Sequence, residues 1–271
     1  MTRMVFEAVW MTGCPVLDIE KGRSKGGEIR LNKKYIRIII DMVMIILLPL
    51  LMAYSLIGEK FHEVIGSVIF VLFIVHHILN RKWHESLFTP KRAAKASGGR
   101  FCRKGKYNPR HIFQTVLNAL LLLFMILQPI SGIMLSKHLY TFLPTFSATA
   151  QARSVHMVLA YWGYVLLCIH AGTHILMPMH KLAARNKKIF VTVCAVLGSI
   201  SVYGTSAFVK RGFPGYMTGR TAFAFFNYSE PRVIFFMDYL AIMILFMIIG
   251  CLIFFALGKI NTKRGSESDE G

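Results

Sequence analysis

Six long apolar runs decide what this chain can fold into: residues 35–57, 61–79, 111–135, 155–177, 189–209 and 233–257. A helix crossing about 30 Å of hydrocarbon needs about 20 such residues, and each run is close to that length. Lipid offers no partner for backbone N–H and C=O groups, so spanning segments are helices or closed barrels. Runs this long, without strict alternation, select helices. Hydrophobic residues make up 55% of the 271, and the mean hydropathy of +0.52 leaves no sizeable soluble core. The expected fold class is an all-α integral membrane protein with six transmembrane helices. The second run is the least apolar, because His62, Glu63, His76 and His77 dilute it.

The chain carries 32 Lys and Arg against 13 Asp and Glu, a formal charge of +19. The distribution of that charge follows the spans. The segments joining them place 25 basic residues on one side and 7 on the other. Positive loops stay in the cytoplasm, so both termini and the 81–110 loop are expected inside a multi-pass plasma-membrane protein. The excess reads as topology and contact with anionic membrane lipid. No nucleic-acid partner is expected, since no recognised binding motif accompanies the charge. Residues 1–34 lack the ordered basic, apolar and small-residue segments of a signal peptide and read as a cytoplasmic lead-in. Residues 259–271, ending in Gly, Ser, Asp and Glu, read as a disordered cytoplasmic tail.

Six of the ten histidines fall in just two of the runs: His62, His76 and His77 in the second, His156, His170 and His174 in the fourth. Within each, one pair is spaced by fourteen residues, His62 with His76 and His156 with His170. Fourteen steps of about 100° fall about 40° short of four turns, so each pair shares a helix face. At about 1.5 Å per residue its members stand about 21 Å apart, one near each edge of the hydrocarbon. Any one intramembrane histidine is accounted for by a hydrogen bond to a neighbouring helix. The repeated spacing points further, to two imidazole pairs that each hold a haem iron from both sides. The second and fourth helices run in the same direction, which pairs His62 with His156 and His76 with His170. His77 lies about 100° round the helix from His76 and competes with it. His174, five turns from His156, competes with His170 or serves a haem propionate or a quinone head group.

Neighbouring residues add to this site. Gly163 lies midway between His156 and His170 on the same face, and Gly66 one turn after His62. Both would let a flat ring approach the backbone, and both suit ordinary small-residue helix packing equally well. Arg153, three residues before His156, is a candidate partner for a haem propionate. Asp41 and Asp238 are intramembrane carboxylates, suited to a helix-end hydrogen bond or to proton handling at a quinone site. The five cysteines form no CxxC or CxxCH, which excludes covalent haem attachment and leaves non-covalent b-type haem. No Gly-rich nucleotide loop follows a strand.

The runs His62-Glu-Val-Ile-Gly66 and His76-His-Ile-Leu-Asn80-Arg-Lys-Trp83 resemble the signature of the flavinylation-associated cytochrome family. So do Ser131-Gly-Ile-Met-Leu-Ser136 and Arg153-Ser-Val-His156-Met-Val-Leu-Ala-Tyr-Trp162-Gly163 with His170 and His174. The resemblance covers about residues 35–180 and implies a four-helix, two-haem cytochrome b core, akin to membrane subunits of formate dehydrogenases and ferric reductases. It also implies an exported flavoprotein as electron acceptor. Residues 181–258 resemble a common two-helix extension. The expected function is transmembrane electron transfer through two haem b groups, from quinol or a cytoplasmic donor to an extracytoplasmic acceptor. Bis-histidine ligation closes both axial positions, so the irons would shuttle electrons rather than bind oxygen. Loops 136–154 and 210–232 carry Lys137, Arg153, Lys210, Arg211, Arg220 and Arg232 against Glu230 alone, and an acidic or anionic acceptor is their expected complement. Two other classes fit the same spans: a non-redox membrane anchor subunit, and a histidine-lined metal or proton transporter. A transporter would gather its histidines round a midplane cavity, whereas these lie at two levels.

Overall fold

Each apolar run forms a helix, and the ends of the helices are set by local chemistry. The computed structural model describes residues 33–81, 109–143, 150–221, 223–224 and 226–267. Helix α1 spans Lys33–Met52, α2 Glu59–Leu79, α3 Pro109–Leu135, α4 Ala150–Arg185, α5 Lys187–Lys210 and α6 Arg232–Glu267. All six are long and apolar enough to cross a membrane, and no strand occurs among the described residues.

The first run breaks earlier than expected. After α1 the chain turns at Ala53 and makes a separate short helix, Tyr54–Ile57, ended by Gly58 at φ 83°. Helix α3 begins on Pro109, a position where the missing N–H costs nothing. Asn186 alone joins α4 to α5, and its side chain caps α5 by accepting from the Ile189 N–H at 3.1 Å. Helix α6 runs to Glu267, beyond residue 259, where the sequence reading starts a disordered tail. The expected lead-in 1–34 lies outside the described residues, apart from Lys33 and Lys34.

The chain divides into two compact units. One comprises Met1–Met44 and Val71–Lys106, the other Ile45–Phe70 and Tyr107–Gly271, so the boundary cuts α1 and α2. In the larger unit α6 packs along both α4 and α5, and α3 packs along α4. Its core gathers Tyr161, Tyr164, Val165 and Cys168 from α4, Ala207 from α5, and Phe235, Tyr239 and Ile242 from α6. Phe213 and Tyr216, from a short helix Phe213–Met217, complete it. The last two helices are therefore more than an appendage, because α6 is a main packing partner of α4.

Backbones meet where glycine allows it. A side chain at Gly172 would strike the Met247 carbonyl, and one at Gly250 would strike the Ile169 carbonyl. This reciprocal contact sets the α4–α6 crossing, the close small-residue approach typical of helices packed in lipid. Gly204 meets the Ala241 carbonyl in the same way and brings α5 onto α6.

Candidate haem-binding site

His62 opens α2 and His156 lies in the second turn of α4, both within the larger unit. Their rings meet edge-on with centroids 6.2 Å apart and planes at 71°. Two imidazoles bound to one metal from opposite sides stand about 6 Å apart between centroids, given about 2 Å for each metal–nitrogen bond. The observed separation fits one iron between them. His62 Nδ1 is also buried without a hydrogen-bond partner. No group of three or more His, Cys, Asp or Glu capable of holding a metal occurs among the described residues.

Helix α3 supplies a set of contacts to His156. Ser131 Oγ donates to the Gln128 carbonyl at 2.9 Å and lies 3.0 Å from His156 Nδ1. With its hydrogen committed to Gln128, Ser131 accepts from the histidine Nδ1–H. That fixes the tautomer whose lone pair is on Nε2, the arrangement a metal-ligating histidine needs. The Gln128 amide donates to this Nε2 at 3.2 Å, taking the lone pair that a metal would use. Gly132 makes room for the ring: a Cβ there would lie 3.4 Å from His156 Cε1.

The His62 end of α2 is clamped by acidic groups. Glu63 accepts from Ser136 Oγ at 2.8 Å and from the backbone N–H groups of Lys137 and Leu139 at 2.9 and 2.8 Å. Tyr54 stands edge-on to His62 at 5.3 Å and donates to Glu59 at 2.8 Å. Burial, with Glu59 beside it, pushes the Tyr54 hydroxyl up to about 12. Glu59 also pairs with Lys137 at 2.8 Å.

His76 lies in the smaller unit, where its Nδ1 is 2.7 Å from Asp41 Oδ1 of α1. Asn80 reaches back to the His76 carbonyl at 2.9 Å. The adjacent His77 points elsewhere, against Phe73 at 4.3 Å. His170 lies in the larger unit, its ring 5.0 Å from that of His174. His170 is partly buried and His174 is exposed.

Gly66 and Gly163 differ from the packing glycines described above. A methyl group at Gly66 would lie 3.8 Å from Leu51 Cδ2, and one at Gly163 4.0 Å from Phe124 Cδ1. Neither receives a neighbouring backbone. Arg153 is exposed and stacks over the Phe223 ring at 4.9 Å.

Three of the six loop cations expected to face a partner, Lys137, Lys210 and Arg211, are paired with carboxylates of the chain itself. Lys210 pairs with Glu230 at 2.6 Å and with Asp238 at 3.0 Å, and Arg211 pairs with the same two carboxylates at 2.8 and 2.7 Å. Asp238 is fully buried and also accepts from the Tyr203 hydroxyl. Sequence counting missed this because Asp238 lies inside a span, outside the loop tally. The Lys210 hydrogen bond, then burial opposing it and the Arg211 pair, leave the Glu230 carboxyl below the usual carboxylate range. A depressed carboxylate stabilises the fold above its unfolded pKa, and that contribution is lost as pH falls through the folded value. Thermal stability in detergent is therefore expected to decline below about pH 4.3, with a shallower decline in Glu230→Gln. Equal slopes in the two proteins would contradict this role.

The sequence profile of prokaryotic cytochrome b561 matches residues 35–185, more than half of the chain. No curated protein and no solved structure matches it. The matched stretch contains α1 to α4 with every candidate ligand histidine, and the six helices are those of a multi-pass membrane protein. The chain belongs to the prokaryotic cytochrome b561 family, whose members bind b-type haem and transfer electrons across a membrane.

Proposed function

We propose that this chain holds two non-covalent haem b groups, one between His62 and His156 and one between His76 and His170. Together they carry electrons from one face of the plasma membrane to the other. The observation that carries the reading is the 6.2 Å separation of the His62 and His156 rings, with a serine holding Nδ1 of one of them. The second pair rests on the equal fourteen-residue spacing in the sequence. Burial favours His170 over the exposed His174, and the Phe73 contact of His77 favours His76. The loosely filled flanks of Gly66 and Gly163 suit a flat macrocycle better than close helix packing. Arg153 is the side chain offered to a propionate at the His62/His156 level.

Haem so bound supplies one-electron redox chemistry. The chain's part would be to offer imidazoles from α2 and α4 as the iron's ligands, with His76 and His156 each held through Nδ1 by Asp41 and Ser131. The charge asymmetry of 25 against 7 basic residues puts both termini and the His76/His170 level on the cytoplasmic side. Electrons then enter from quinol or a cytoplasmic donor and leave beneath loops 136–154 and 210–232. The resemblance to flavinylation-associated cytochromes makes an exported flavoprotein the acceptor. The neutralised Lys210–Arg211 cluster makes charge steering a smaller part of that docking than the sequence implies.

A reduced-minus-oxidised spectrum of the purified protein tests the reading against an anchor or a transporter. Haem b bands that respond to dithionite are expected. A colourless protein from haem-replete cells would overturn it.

A further inference from the structure

The two histidines whose Nδ1 contacts are visible are held by chemically different groups. His76 meets a carboxylate, Asp41, at 2.7 Å. His156 meets a hydroxyl, Ser131, at 3.0 Å. Asp41 lies eight residues into α1, within the apolar span, and Arg37, one turn before it, donates to the Leu79 carbonyl. Ser131 is itself buried and committed to the Gln128 carbonyl. Both acceptors hold the Nδ1 proton and put the ring lone pair on Nε2, where a metal would displace the Gln128 amide from His156, but they do not do so equally. A carboxylate acceptor raises the basicity of a ligating imidazole, and its negative charge favours the more positive, oxidised iron. A neutral hydroxyl does little of either. The low dielectric of a membrane span enlarges the difference.

We propose that Asp41 and Ser131 are positioning residues that set unequal potentials, with the His76 level the lower and the His62/His156 level the higher. This rests on the ligand reading above and gives it a direction. One electron lost at the His76 level is gained at the His62/His156 level, downhill, and neither histidine binds or releases a proton. A sequence tally of ligands would miss this, because Asp41 stands 35 residues from His76 and Ser131 stands 25 from His156.

Potentiometric titration of the purified, haem-loaded protein tests it, with the ferric low-spin electron paramagnetic resonance spectrum as a second readout. Two one-electron waves are expected, and His76→Ala should remove the lower. Asp41→Asn should raise the lower wave at least tenfold in its reduced-to-oxidised ratio, a shift of about 59 mV, and leave the upper wave in place. It should also change only one of the two low-spin signals, and Asp41→Glu should restore both readouts toward the parent values. Loss of the upper wave in His76→Ala, or an unmoved lower wave in Asp41→Asn with both haems retained, would overturn the assignment. Fewer than two waves in the parent protein would overturn the ligand reading beneath it as well, so the two failures are distinguishable.

Discussion

His156→Ala should lose one haem and keep the other. The His62 and His156 rings stand at one level and share a single candidate metal position, so neither imidazole alone gives bis-histidine ligation. His62→Ala should therefore give the same residual spectrum as His156→Ala, with haem content falling from two per chain to one. His76→Ala and His170→Ala should match each other and differ from the first pair. Reduced-minus-oxidised spectra of the four variants, at equal protein, check this. A match between His62→Ala and His170→Ala would mean that α2 and α4 run in opposite directions. The pairing by level would then be wrong.

The next largest effect is expected at a residue that touches no metal. A Cβ at Gly132 would already touch His156 Cε1 at 3.4 Å, with no room beyond it, and α3 is held at this point by the Ser131 and Gln128 contacts. The branched side chain of Gly132→Val cannot turn away within a helix, so the imidazole must move. The expected result is loss of the haem at the His62/His156 level, with the other haem and the helical circular dichroism retained. Gly198→Ala is the control, since nothing lies within 4 Å of the position its new methyl would take. Retention of both haems in Gly132→Val would show that His156 does not use the orientation described here.

Much of this architecture is legible in sequence because lipid enforces it. Apolar length located all six spans to within a few residues at most ends, and histidine spacing together with helix direction pointed to His62 and His156 as one pair. What spacing cannot supply is the identity of contacts made by other helices. Ser131, Gln128 and Gly132 belong to α3, and a serine or glutamine in a span carries no periodic signal of its own. Asp41 was visible as a costly intramembrane carboxylate, but nothing in the chain order tied it to His76. Glu63 appeared only as a dilution of hydropathy. Its carboxylate in fact fastens the 136–139 backbone beside the site. Lys210 and Arg211, free for a partner by loop charge alone, are already held by Asp238 and Glu230. The break at Ala53 was also hidden, because the apolar run continues through it without a change in composition.

Everything proposed above depends on one chain holding two haems, each between a histidine of α2 and a histidine of α4. The most direct measurement is the pyridine haemochrome content of the purified protein, set against protein concentration from amino-acid analysis. Two haem b groups per chain are expected, both extracted by acid acetone because no cysteine binds them covalently. A value of one or none from cells supplied with haem would contradict it.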